Sequence, residues 1–509
     1  MPKNPEYDRQ FMSLLGIDIG TSGSKVMAVS ADGRVYTFQY LMHETRHSDA
    51  GHMEIDSSRL WNNVQELILR AAAATKHDPV QALCVSSFGE ACVPVTKDRK
   101  ILADIILGTD CRGRSEIDDF LNKIPAEDFY RICPNIPGIQ YTLPKILWIK
   151  KNNPELYRAA DFFLLIGDFI GFMLGAEPYA STSLACRTLL FDLDAGNWSD
   201  RLLTLAGLPR GKFGRILSAG KCAGEVTPVL AEKLKLPGRI KILAGGHDQC
   251  LNALGSGAIN AGSAVCGIGT YECITPVFSA VREKKDMFRQ NLNIGCHVVP
   301  ELFVSFIYNQ AGSLVKWFRD TFAQKEKNEI PQDEIFSALS GEMPEGPSGL
   351  LVLPCFEPAG APLYVSDAKG AITGLTTSTR RGDILKAIME SSTFYFYEAL
   401  EKLSALDIKT ENFTVTGGGS KSDSWLKIHA DIFGMPFIRP EISEASVLGA
   451  ALLAGTGLKI WASLKEASVL FCRTDRIFFP DREQHIKYQE LFQKYKKLFP
   501  LLYQFLRKM

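Results

Sequence analysis

The segment Leu15-Gly16-Ile17-Asp18-Ile19-Gly20-Thr21 and the segment Ala264-Val265-Cys266-Gly267-Ile268-Gly269-Thr270-Tyr271-Glu272-Cys273-Ile274 share one layout: an apolar β-type run, a Gly-Thr bend and a second β-type run. A layout that recurs so far along a chain implies two related halves, each opening on a β-hairpin whose tip presents backbone amides. In the first half, Leu14 to Ile19, Lys25 to Ser30 and Val35 to Tyr40 read as an antiparallel meander, with Ala31-Asp32-Gly33 turning between the last two strands. Asp-Gly between apolar runs is a strong hairpin signal. Asp56 or Ser57 can cap a helix that carries Leu60, Trp61, Val64, Leu67, Ile68 and Ala71 at helical spacing, and Gln81 to Ser86 follows as a strand. Strands followed by helices indicate an α/β sheet covered on its faces.

From about Glu116 to Arg239 the pattern is more helical and irregular, and a strand, Ile240 to Ala244, then leads into Gly245-Gly246-His247-Asp248-Gln249. The second half offers strands at Gly349–Leu353 and Phe413–Thr416 and helices at Arg381–Leu403, Asp423–Phe433 and Ser446–Ala454. Glu483–Lys508 is basic and amphipathic, is expected to be interrupted at Pro500, and reads as a terminal helix on its own domain. With 509 residues the chain has the length of two to four domains, two large ones also fitting, and 46% hydrophobic with 22% charged residues is the balance of a globular protein. Lysine plus arginine equals aspartate plus glutamate at 57 each, so no global basic field draws nucleic acid or a membrane surface. The twelve cysteines include no C-x-x-C pair and read as buried free thiols of a reducing cytosol. Met1 to Gln10 lacks the apolar core of a secretory signal, and the apolar run Phe162–Gly175, with Asp168 inside it, is too short to span a membrane of roughly 20 residues. The expected location is cytoplasmic.

Three glycine-rich bends follow predicted strands: Gly20-Thr21-Ser22-Gly23, Gly267-Ile268-Gly269-Thr270 and Gly417-Gly418-Gly419-Ser420. Glycine lets several N–H groups face one anion, and neighbouring hydroxyls add donors, so three such bends can surround a polyphosphate; each alone is also an ordinary turn. None is a P-loop, and the first leads into a strand rather than the helix of a dinucleotide fingerprint, which disfavours a dehydrogenase. Asp18, two residues before the first bend, either caps its own turn or carries Mg²⁺ between itself and phosphate. Asp248, after a strand and two glycines, can accept a proton from an attacking hydroxyl. His247 beside it reads as a structural or substrate-contact residue.

In order along nearly the whole chain, Gly16–Lys25, Thr109-Asp110-Cys111-Arg112, Pro144-Lys145-Ile146-Leu147-Trp148, Gly245–Gln249, Gly267–Thr270, Thr416–Ser422 with Trp425, and Glu444–Ala451 resemble the motifs of the FGGY family of carbohydrate kinases, within the actin/hexokinase/Hsp70 superfamily. The resemblance implies two α/β, ribonuclease-H-like domains with a cleft between them, residues 1–254 binding sugar and 255–509 binding nucleotide. It implies ATP as phosphoryl donor, Mg²⁺ at Asp18, and Asp248 as base. Thr21 and Ser22 would face the γ-phosphate, Gly269 and Thr270 the β-phosphate, and Gly417 and Gly418 the adenosine, with Gly23, Lys25, Gly312 and Ser422 completing the ATP contacts. Glu90 would meet the sugar, joined by Gly89, Asp110, Arg112 and Gln249. The chain departs from the pattern at Gly89-Glu90: glycerol kinases carry Arg-Glu there and xylulose kinases Met-His, so glycerol is disfavoured and xylulose unsupported. The partner expected is a small sugar, ketose, polyol or sugar acid, with a homodimer compatible with the reading. An ATP-driven switch without sugar transfer is the alternative, and Asp248 with Glu90 speaks against it, because a switch needs no sugar base.

Overall fold

The computed structural model describes residues 12–48, 51–280, 283–331, 334–365 and 369–506. Met1 to Gln10, and the question of a leader there, lie outside the described residues. The chain divides into two compact units. Unit 1 comprises residues up to Ile259 together with Ile294–Val304 and Glu444–Cys472, and unit 2 comprises Asn260–Asn293, Ser305–Ser443 and the chain from Arg473.

Unit 1 begins with the expected meander: β1 (Ser13–Ile19), β2 (Gly23–Ser30) and β3 (Val35–Met42) pair antiparallel. Every β1 residue is buried, so this strand is the centre of a sheet covered on both faces. Helix α1 (Ser57–Ala74) starts at Asp56, whose carboxylate accepts from the Arg59 N–H at 2.8 Å, and it buries Leu60, Val64, Leu67, Ile68 and Ala71 completely. Then β4 (Val80–Ser87) joins β1 in parallel; β5 (Cys222–Glu225) and β6 (Lys241–His247) follow, and α2 (Asp248–Gly255) leaves directly from β6. The strand order is β5-β6-β4-β1-β2-β3, with β6, β4 and β1 mutually parallel. The apolar run noted above is not one element: Phe162–Leu165 is a strand and Ile166–Leu174 a helix.

Unit 2 repeats the plan. Its hairpin is β7 (Ser263–Ile268) and β8 (Tyr271–Phe278), with β9 (Ile307–Gln310) beside β8. A long helix, α3 (Arg381–Ser404), precedes β10 (Asn412–Thr416), which pairs parallel with β7; α4 (Asp423–Phe433) and β11 (Phe437–Pro440) come next. The chain then contributes α5 (Ala445–Gly457) to unit 1, before β12 (Thr474–Phe478) and α6 (Arg482–Leu506) complete unit 2. Pro500 does not interrupt α6. Proline removes one backbone hydrogen bond, but buried Tyr495 and Leu498 before it and Leu506 after it anchor the helix on both sides. The helix packs on its own unit, with Phe492 and Tyr495 centred 5.5 and 5.4 Å from the Phe394 ring of α3. Among the described residues no helix is long and apolar enough to cross a membrane. Most cysteines are buried as expected, but Cys111 and Cys222 are exposed, one in the turn after Asp110 and the other on the short strand β5 at the end of the sheet.

Candidate active site

Three parallel strands of unit 1 end at one level. Asp18 on β1 is in register with Ser86 on β4, and Ser87 is in register with His247 on β6. Asp18, the turn Phe88-Gly89-Glu90 and His247-Asp248 are therefore delivered to the carboxyl edge of one sheet, where open α/β sheets place their ligands.

Asp18 is almost fully buried. It accepts from the Ser86 hydroxyl at 2.6 Å and from the Ser446 hydroxyl of α5 at 2.8 Å. Burial lifts its pKa to about 6; the charge of Asp248 adds to the rise, while Lys25 and the two hydroxyls oppose it. Lys25, in register with Asp18 on β2, pairs with Glu444 at 2.6 Å. Thr21 and Ser22 at the bend are exposed, and the bend is closed by the Gly20 N–H on the Gly23 carbonyl at 2.9 Å.

At the next turn Glu90 adopts a left-handed backbone, φ 62°, which strains a residue with a Cβ and is characteristic of functional sites. Arg187 donates to its Oε1 at 2.5 Å and, through Nη1, to Asn135 at 2.8 Å, with its guanidinium carbon 4.7 Å above the Tyr141 ring. The ring of His247 lies between two carboxylates, Nδ1 at 2.9 Å from Asp248 Oδ1 and Nε2 at 3.6 Å from Glu90 Oε2. The Gln249 N–H donates to the same Nδ1 at 3.2 Å, so Asp248 faces the ring through proximity and charge. Burial opposes the charge on His247, but Asp248 and Glu90 lift its pKa to about 9. Burial likewise opposes the charge on Glu90, and Arg187 and His247 hold its carboxyl down at about 2. Gly89 is explained here: a Cβ would stand 2.7 Å from His247 Cδ2, so the histidine ring fills the space a side chain at this turn would take. Gln249, the second residue of α2, has its side-chain carbonyl oxygen buried without a hydrogen-bond partner.

Asp110 and Arg112 are tied to each other by two side-chain hydrogen bonds, 2.9 and 2.6 Å, and Arg112 also holds Glu54 at 2.7 Å. Lys145, on the helix Thr142–Asn152, is buried and donates to the carbonyls of Ile139 and Tyr141 at 2.6 and 2.8 Å; burial depresses its pKa to about 7. Sequence reasoning missed Arg187, Asn135 and Tyr141. They lie in the irregular middle of the chain, and no local motif signals a partner for Glu90 ninety-seven positions away.

In unit 2 the other bends come together. Gly267 is in register with Thr416, which brings Gly417 beside the β7 bend, and the Ser313 N–H, next to Gly312, donates to the Thr270 carbonyl at 2.9 Å. Gly417 has φ 79°, a conformation suited to glycine. Ser422 caps α4, accepting from the Trp425 N–H at 3.3 Å. The same unit buries Cys266, Glu272 and His429 together, with Glu272 Oε1 2.8 Å from His429 Nε2 and 3.3 Å from the Cys266 sulfur.

The model of the FGGY family of carbohydrate kinases, N-terminal domain, matches residues 13–255, and the C-terminal domain model matches residues 268–458. The chain belongs to this family and is an ATP-dependent phosphotransferase acting on a sugar hydroxyl. It is 29% identical over 492 residues to a xylulose kinase of Bacillus subtilis, covering 96% of each chain. Its fold superposes with a TM-score of 0.88 on a ligand-bound xylulose kinase from Lactobacillus acidophilus, at 24% identity and 98% and 99% coverage. A gluconate kinase from the same organism gives 0.87, at 23% identity and 98% and 99% coverage. These solved structures carry the two-domain actin-like ATPase fold.

Proposed function

We propose that unit 1 binds the sugar and performs the proton transfer, with Asp248 as the base that takes the proton of the attacking hydroxyl. The observation that carries this is the shared edge of β1, β4 and β6, which sets Asp248 within electrostatic reach of Asp18 and in contact with His247. A group that accepts a hydroxyl proton must sit where the reacting oxygen can approach, and the Asp248 side chain, at the start of α2, remains partly exposed. His247 lies against the carboxylate on one side. Glu90, Gly89 and Gln249 border the same edge and are the sugar contacts; Asp110 and Arg112 brace Glu54 and the neighbouring turn.

Asp18 suits Mg²⁺. Its donor set is hard oxygen, and burial, with the charge of Asp248 beside it, raises its pKa, so a cation held there would offset the cost of keeping it ionised. Bound there directly or through water, the ion would neutralise phosphoryl oxygens as charge develops on them. Thr21, Ser22, Gly23 and Lys25 would turn their amides, hydroxyls and ammonium to the γ-phosphate. In unit 2, Gly269, Thr270 and Gly312 would face the β-phosphate, and Gly417, Gly418 and Ser422 the adenosine. Because phosphoryl transfer passes through a largely dissociative transition state, positioning and charge supply most of the catalysis, which suits a site of amides, hydroxyls, one cation and one base. Buried thiols and the use of ATP fit work in the cytoplasm.

The test is ADP release from Mg-ATP across polyols, ketoses, aldoses and aldonates, with Asp248→Asn alongside. Losing a general base costs about 10²–10⁴-fold in kcat. The variant should show that loss with sugar and ATP affinity retained, whereas turnover near that of the unmodified enzyme would remove Asp248 from the role.

A further inference from the structure

The charges around Glu90 are balanced among themselves, and that balance bears on the acceptor; the step rests on the reading of Glu90 and Asp248 as the sugar side. Arg187, 4% exposed at its side chain, is held by Glu90, Asn135 and the face of Tyr141. His247 stands between Glu90 and Asp248. Lys145 donates to two backbone carbonyls, and Arg112 is divided between Asp110 and Glu54. Each of these cations is engaged with a partner inside unit 1. What remains at the edge is acceptor in character: the carboxylates of Glu90 and Asp248, 18% and 25% exposed at their side chains, and the buried, unpartnered side-chain oxygen of Gln249.

An incoming carboxylate or phosphate would meet like charge here and could recruit a cation only by breaking a buried ion pair, which leaves its partner uncompensated, or by drawing Lys145 off the two carbonyls that hold it. A hydroxyl carries its own donor, and satisfies an orphaned acceptor without moving a charge. We propose that the acceptor is an uncharged polyol or ketose whose hydroxyls donate to Glu90 and Gln249, and that the Glu90–Arg187 pair excludes aldonates and sugar phosphates by keeping the guanidinium occupied.

The experiment compares acceptors of the same carbon skeleton, xylitol and xylulose against xylonate, and sorbitol and fructose against gluconate, by kcat/KM from ADP release. Like-charge juxtaposition costs several kcal/mol, so the best neutral acceptor should exceed its acid by about 100-fold or more. Glu90→Gln, which removes the carboxylate holding Arg187, should weaken use of the neutral acceptor and narrow that ratio by about tenfold. An aldonate that outruns its neutral counterpart overturns the inference and leaves the kinase reading standing. An unchanged ratio in Glu90→Gln, in a variant whose thermal transition matches the unmodified enzyme, overturns the role of the pair. If Glu90→Gln does not fold, the panel on the unmodified enzyme decides alone. A rate of ADP release that no acceptor raises, although Mg-ATP binds, overturns the kinase reading and this inference with it.

Discussion

Asp18 and Asp248 stand out in the sequence because carboxylates beside glycine bends need a chemical reason, and both reach the strand edge that reasoning assigns them. Glu90 is legible only through the family pattern, and its partner Arg187 not at all, since an ion pair formed through tertiary structure leaves no periodicity to read. Asp168 shows the same limit. In the sequence it is a charge that disfavours a membrane span; in the fold it is a buried carboxyl, accepting from the Ser181 N–H at 2.9 Å and the Ser181 hydroxyl at 2.5 Å. Burial raises its pKa from 3.8 to about 7, against the pull of both hydrogen bonds. A carboxyl whose folded pKa is raised binds its proton more tightly in the native state. Its contribution is therefore fully present below about pH 4 and is lost as pH climbs through about 7. Asparagine cannot ionise, yet it can accept from the Ser181 N–H and donate to its hydroxyl. Asp168→Asn should gain stability relative to the unmodified protein as pH rises from 5 to 8, read as a widening difference in Tm. Parallel Tm curves would show that Asp168 does not titrate in this range.

Among the elements, those with strong local rules are the ones the sequence reveals. The Asp-Gly turn fixes the β2–β3 hairpin, the Asp56 cap and apolar stripe fix α1, and helical spacing places α3 and α4 almost to the residue. The course of α6 through Pro500 escapes, because burial along the helix overrides a local penalty. So does the reason for glycine in α5. There Gly449 lies against α2, where a Cβ would come 2.1 Å from the Leu251 carbonyl oxygen, and Gly255 of α2 is as tight against the Ala445 carbonyl at 1.9 Å. The two helices touch backbone to backbone, and that closeness sets the depth at which Ser446 meets Asp18. Forcing extra methyls into such a contact costs about 1–3 kcal/mol. Gly449→Val should therefore lower Tm by several degrees and also reduce kcat, through displacement of Ser446 and of the start of α2. A Tm unchanged from the unmodified protein would mean that the helices separate without cost.

Over the whole molecule, the consequential fact is that unit 1 is assembled from three separated stretches of chain. Two family models in tandem suggest two successive domains, yet residues 444–458 of the second match fall within unit 1. This stretch is integral there. Val447, Leu448, Leu452 and Leu453 of α5 are buried, Gly16 of β1 accommodates the α5 backbone, Glu444 holds Lys25, and Trp461 donates to the Ala31 carbonyl at 3.0 Å. Each buried aliphatic side chain contributes roughly 1.5–3 kcal/mol, and native domains hold only about 5–15 kcal/mol in total, so the loss of α5 alone approaches the stability of the unit. A fragment ending at Ile259 should consequently lack a cooperative unfolding transition and expose apolar surface to a hydrophobic dye. Appending residues 444–472 through a flexible linker should restore the transition. A fragment ending at Ile259 that unfolds cooperatively near the Tm of the full chain would mean that β1, β4 and α2 are self-sufficient. The Ser446 contact to Asp18 would then serve the chemistry alone, and the late return of the chain would have to be explained by catalysis rather than by folding.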